Sequence, residues 1–308
     1  MNSEYLLFRP AARTLYKRLD GLAASGDFDA SLLDQFQYLP ELHKSPVNAY
    51  YLASLYLQLG DESAAWDVLS SLSGSSSAMK KFYHVLSFCK QSKLPVPILN
   101  AAEKSCIDYL DAAINPAGVT IEQRLLDAGG FSIVGNAPGG SLKDTPVEWC
   151  KFYFNSYLKS SRITDIASVH VVTPSWKIEE TKNTNCICIT GNSIFYRRSR
   201  VWMKFIANEN HAAIYTLPRS LWRSLYTELG TSPSAGLLIV AMVTDITTRN
   251  PQSFGGHIAG FSFGVPGTNH DYDLERASKR HNWTVEAMIL KRLVGELEKN
   301  CSQLTVEY

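Results

Sequence analysis

A chain of 308 residues with 45% hydrophobic and 19% charged residues is long enough for a large α/β domain plus a smaller helical one. It is too apolar for a disordered segment. Its 30 basic residues are matched by 29 acidic ones, which excludes global steering toward nucleic acid or an anionic membrane. Any anionic ligand must be held by a local site.

No apolar run nears the roughly 18 residues of a membrane span, and Met1 to Lys17 lack the apolar core of a signal peptide. The six cysteines form no C-x-x-C pair, so neither a zinc knuckle nor a disulfide framework is expected. A reduced, cytoplasmic setting follows as the expectation. Cys186 and Cys188, two apart in an apparent strand, share a face and read as packing thiols.

From Glu4 to about Leu125 the pattern is helical. In Asn48 to Leu57 the period places Tyr51, Leu55, Tyr56 and Leu59 on one stripe. Gly60-Asp61 breaks that helix, and Glu62 to Leu69 begins the next. This pair reads either as a single degenerate tetratricopeptide-type hairpin or as part of a plain helical bundle. The aromatic cluster Tyr51, Tyr56 and Trp66 is a candidate surface for an acceptor or partner, or else core. Ser70 to Ser77 is a loop, and Pro95 and Pro97 mark a further break.

The character changes near Gly129. Short apolar runs rich in β-formers follow at Phe131–Val134, Lys151–Phe154, Ser168–Thr173, Asn185–Thr190, Trp202–Ile206 and His257–Phe263. Helical segments lie at Ser234–Ile246 and Trp283–Leu297. The alternation predicts an α/β fold: a Rossmann-like, mostly parallel sheet covered on both faces, spanning 126–308 and preceded by an all-helical region, 1–125. In such sheets ligands bind at the carboxyl ends of the strands.

The candidate chemistry lies at those ends. Ser132-Ile-Val-Gly135-Asn136-Ala-Pro-Gly ends a strand in glycines, where backbone can approach a phosphate closely, and Asn136 adds an amide. Neither G-x-x-x-x-G-K-[ST] nor G-x-G-x-x-G is present, and no G-x-S-x-G elbow. Ser232-Pro-Ser234-Ala235-Gly236 precedes a helix and serves as an N-cap, or as an anion site, or both. Two histidines follow the late strand: His270, in Asn-His-Asp-Tyr272-Asp, and His281, in His-Asn-Trp-Thr-Val-Glu286. Histidine pairs of this kind suit acid/base work. Glu286, about a turn and a quarter beyond His281, can orient it, as can nearby backbone. Asp271-Tyr272-Asp273 is a D-x-D pattern, of a kind that can hold a divalent ion.

Taken in order, Gly135-Asn136, Phe154-Asn155, Pro233-Ser-Ala-Gly236, Gly260-Phe-Ser-Phe-Gly264, His270-Asp-Tyr272 and His281-x4-Glu286 resemble the L, S, III and VS motifs of the sialyltransferase families. The Gly-Asn-x-Pro portion is also similar to bacterial sialyltransferases. The resemblance covers roughly residues 129 to 298. It departs from the pattern where Phe131 or Ser132 replaces the motif L cysteine and Ala235 replaces a hydroxyl residue.

The resemblance implies a CMP-sugar-dependent glycosyltransferase whose donor is CMP-sialic acid or CMP-Kdo, both CMP-activated 2-keto acids. By resemblance, Asn136 and Asn155 meet the donor phosphate and ribose, and Ser234, Ala235 and Gly236 meet the donor itself. His281 is then the general base, and His270 with Tyr272 faces the departing phosphate. No cofactor and no metal are expected, since a single donor phosphate has less need of a metal clamp. The acceptor would be a glycan, such as lipopolysaccharide or capsule, with peripheral membrane association and no nucleic acid partner. The competing expectation is a catalytically inactive nucleotide-binding scaffold whose helical region binds a partner.

Overall fold

The computed structural model describes residues 46–101, 104, 120–135, 145–154, 168–172, 186–190, 213–250, 253–261 and 281–307. These fall in two compact units, residues 46–104 in one and residues 120–307 in the other. The helix Ile121–Ala128 belongs with the second, against its sheet.

In the first unit, α1 (Pro46–Leu59) and α2 (Glu62–Ser70) form a hairpin, followed by a 3-10 turn at Ser77–Lys81 and by α3 (Tyr83–Gln91). Gly60 turns the chain at φ 91, and the Asp61 carboxylate accepts from Ala64 N at 2.9 Å to cap α2. Helix α1 does not bury a single stripe. Asn48, Tyr50, Leu52, Ser54, Leu57 and Gln58 are buried beside Tyr51 and Leu55, so α1 is enclosed over most of its circumference, while Tyr56 and Leu59 are only half-buried. Tyr51 lies edge-on to Phe82 at 4.9 Å, whereas Trp66 is 45% exposed. The predicted cluster of Tyr51, Tyr56 and Trp66 is therefore not one surface.

The second unit holds α4 (Ile121–Ala128), β1 (Gly130–Val134), β2 (Cys150–Phe154), β3 (Ser168–Val172), β4 (Cys186–Ile189), β5 (Ala213–Thr216), α5 (Arg219–Leu229), α6 (Ala235–Arg249), β6 (Phe254–Ala259), α7 (Trp283–Asn300) and β7 (Cys301–Val306). The seven strands make one sheet in the order β5-β4-β3-β2-β1-β6-β7. Every neighbouring pair is parallel. Strands β1 to β5 step away in one direction, and β6 then returns to the far side of β1. The order of winding reverses at β1, which makes the crevice between β1 and β6 the topological switch point.

Right-handed crossovers taken in opposite directions lie on opposite faces. Helices α5, α6 and α7 lie on the return path and so share a face. They are tied together there: α6 packs against α5 and α7, and Arg292 of α7 pairs with both oxygens of Glu228 of α5 at 2.7 and 2.9 Å. Arg249 at the end of α6 reaches Glu122 of α4 at 2.8 Å. Helix α6 is buried from Leu237 to Val243, as a helix between a sheet and two other helices must be.

Register assigns the two faces. Phe131, Ile133, Phe152, Phe154, Val169, Val171, Cys186, Cys188 and Ile258 share the helix-covered face, and all are buried. Each large apolar side chain removed from water there contributes about 1.5–3 kcal/mol. The thiols of Cys186 and Cys188 pack in this layer as expected. The opposite face is polar through its middle: His257, Ser132, Lys151 and Ser168 follow one another across β6, β1, β2 and β3, all buried. At the amino edge the Trp149 ring lies over Gly130 and Gly255, where neither position has space for a Cβ.

Four of the six predicted strands coincide with β1 to β4 within a residue. The late strand begins at Phe254 and ends at Ala259, earlier than the expected His257–Phe263, because Gly260 turns out of the sheet at φ 70. Trp202–Ile206 lies outside the described residues. Helix α5 and strands β5 and β7 were not anticipated. No helix among the described residues is long and apolar enough to cross a membrane.

Candidate functional site

A helix connecting two parallel strands runs antiparallel to them, so α6 and α7 begin at the carboxyl edge of the sheet. Their two starts are joined there. Ser234 caps α6, its Oγ accepting from Leu237 N at 3.2 Å. Its hydroxyl hydrogen and the first-turn N–H groups of Ala235 and Gly236 are left to donate outward, as at any helix start. Asn282 caps α7 in the same way, accepting from Val285 N at 3.3 Å.

Between these caps stands His281, with 11% of its side chain exposed. Its Nδ1 lies 2.9 Å from the carbonyl oxygen of Ser232. A carbonyl oxygen only accepts, so Nδ1 carries the proton and Nε2 of the neutral ring presents its lone pair. The Glu286 Oε1 atom is 3.4 Å from the same Nδ1 and also accepts the backbone N–H of Ser234 at 2.9 Å. Both ways of orienting His281 considered from sequence are thus present at once. The Trp283 ring closes one side, its centroid 5.0 Å from that of the imidazole. Glu286 is buried, and these donors, together with its place in the first turn of α7, compensate its charge.

Gly135 lies on the other side of the crevice. It continues the β1–β6 ladder by one bond, donating to Ala259 O at 2.8 Å. A Cβ on Gly135 would strike the Gly260 carbonyl, and one on Gly260 would come 2.6 Å from the Gly135 oxygen. The two chains cross in backbone contact where they leave the sheet, which requires glycine on both sides.

The structure thus brings His281, Glu286, Ser234, Ala235 and Gly236 into one joint, and Gly135 into the neighbouring crossing. Asn136 and Asn155, which follow Gly135 and Phe154 in the chain, lie outside the described residues. So do His270, Tyr272, Asp271 and Asp273. Sequence reasoning allowed nearby backbone to orient His281 but did not point to the Ser232 carbonyl, because a backbone acceptor carries no residue signature. It also missed the cap at Asn282, for which Asn before an apolar helix was a usable signal.

A second polar chain resembles a nucleophile relay. Ser132 Oγ is 3.0 Å from His257 Nδ1, and His257 Nε2 is 3.2 Å from Glu307. The carboxylate accepts from Nε2–H, so Nδ1 accepts from the serine hydroxyl when the ring is neutral. Ser132 is completely buried. The relay ties β1 and β6 to the residue that follows β7.

No protein-family model, no curated protein and no solved structure matches this chain. The fold and the joint define an all-parallel α/β unit with a histidine–carboxylate pair at its topological switch.

Proposed function

We propose that the sheet unit is a glycosyltransferase that moves an acidic 2-keto sugar, sialic acid or Kdo, from its CMP donor to a glycan hydroxyl. The observation that carries this reading is the orientation of His281. Its Nδ1 proton is committed to Ser232 O at 2.9 Å, which leaves the Nε2 lone pair to act as a base, on a ring anchored two residues before the helix cap Ser234.

The chemistry follows from that arrangement. Nε2 takes the proton of the acceptor hydroxyl as its oxygen attacks the donor anomeric carbon, and the bond from that carbon to the CMP phosphate breaks. Glu286 stabilises the imidazolium formed. The Ser234 hydroxyl and the Ala235 and Gly236 amides donate to the donor carboxylate, where the positive end of α6 favours an anion. By the sequence resemblance, Asn136 and Asn155 hold the nucleotide, and His270 with Tyr272 donates to the departing phosphate.

The test is a thermal-shift panel of CMP, CDP, UDP, GDP and S-adenosylmethionine, since a ligand bound only by the folded state raises the melting midpoint. CMP should stand out. His281→Ala should then lower kcat by about 10²–10⁴ while CMP still binds. Binding without turnover of either CMP-sugar would identify a nucleotide-binding scaffold instead.

A further inference from the structure

The ring of Phe261 lies against the start of α6 and beside the ends of β1 and β2. Phe261 follows β6 directly after Gly260, which turns the chain out of the strand at a positive φ of 70. A Cβ built on Gly236, in the first turn of α6, would lie 2.7 Å from Phe261 Cε1. A Cβ on Gly135, just past β1, would lie 3.4 Å from Phe261 Cδ2. The ring also stands edge-on to Phe154, the last residue of β2, with centroids 6.4 Å apart and planes at 82°. The ends of β1, β2 and β6 and the start of α6 are therefore spaced by one rigid side chain.

We infer that Phe261 is a positioning residue that sets the width of the donor crevice; the inference rests on the reading of this crevice as the donor site. The start of α6 is already one body with His281, through Ser232 O and Glu286. What remains to be set is the distance of that body from the β1 side. Phe261 is the described side chain that spans the gap, and it meets α6 at a glycine, where ring and helix backbone approach most closely. The helix start cannot settle toward β6 without meeting the ring, and it loses its spacer when the ring is removed. Hydrogen bonds hold to a narrow range of length and weaken steeply as they bend. A shift of a few tenths of an ångström in the Ala235 and Gly236 amides is therefore read directly as donor affinity.

This makes Gly236 and Phe261 a size-coupled pair, which a double-mutant cycle on the full chain isolates. CMP affinity is measured by calorimetry in the wild type, Phe261→Leu, Gly236→Ala and the double variant. Each single change is expected to weaken CMP about tenfold, and the pair to recover to within about threefold of the wild type, because the added methyl occupies space that the smaller side chain vacates. A plain packing role would lower the melting midpoint without restoring affinity in the double variant. Single changes that leave CMP affinity within about twofold, or strictly additive losses, overturn the assignment. If Gly236→Ala does not fold, Phe261→Leu alone decides by the same affinity criterion. If the wild type binds another nucleotide of the panel and not CMP, the donor reading fails, and the same cycle with that nucleotide still judges Phe261. If it binds none of them, both fail.

Discussion

Glu286 accepts the backbone N–H of Ser234 across 2.9 Å, although the two are 52 positions apart in the chain. The same carboxylate oxygen lies 3.4 Å from His281 Nδ1. One buried side chain therefore joins the start of α6 to the start of α7 and to the histidine between them. The Ser234 turn and His281 cannot move independently while that bond holds, so their relative position is fixed by the fold itself.

Replacement of Glu286 separates its charge from its geometry. Glu286→Gln keeps an acceptor for Ser234 N–H but offers no charge to an imidazolium. It should retain CMP binding and lose about 10- to 100-fold in kcat. Glu286→Ala also strands a part-buried N–H and should cost about 1–3 kcal/mol of stability. Steady-state kinetics beside urea unfolding read both effects. Wild-type kcat in the Gln variant would mean that the Ser232 carbonyl alone holds the ring.

Gly260 and Gly129 form an internal comparison. Both have positive φ, 70 and 61, but only Gly260 faces another backbone: a Cβ there comes 2.6 Å from Gly135 O, whereas one on Gly129 meets nothing within 4 Å. Gly129→Ala should cost only the left-handed strain, about 1 kcal/mol. Gly260→Ala adds a collision that no side-chain rotation relieves and should cost about 3 kcal/mol or more. Thermal unfolding of the two variants decides; equal losses would show that the β1–β6 crossing has room to open.

The buried thiols predict an alkaline limit. Burial pushes Cys150 and Cys186 from 9.0 up to about 12, an effect that the nearby Arg124 guanidinium only partly offsets. Below pH 9 both groups are protonated folded and unfolded, and their contribution to stability is fully present. As pH rises from about 9 toward 12, the unfolded chain ionises first and that stability is lost. Urea midpoints should therefore fall between pH 9 and 10.5. At pH 8 the folded protein should resist iodoacetamide at both positions, because the thiolate is the reactive form. Fast labelling of Cys150 before unfolding would contradict this.

Much of the architecture is legible along the chain, because its signals are local. The runs Phe131–Val134 and Ser168–Thr173 are apolar and β-branched enough to be buried strands, and Ser234 before an apolar run is a helix start in any context. Strand β7 was missed because Cys301–Val306 lies at the sheet edge, where Ser302, Gln303 and Thr305 face water and the apolar run disappears. Helix α1 was misjudged as striped because periodicity reports the most apolar face and not how many neighbours enclose it. The spacing His281-x4-Glu286 marked the pair, since it sets a histidine just before a helix start and a carboxylate in that helix's first turn. The bond from Glu286 to Ser234, the Ser232 carbonyl that selects the tautomer, and the meeting of Phe261 with Gly236 belong to tertiary structure alone. Each joins groups brought together only when the sheet reverses its winding at β1, and a backbone atom or a missing Cβ leaves no mark in a residue pattern.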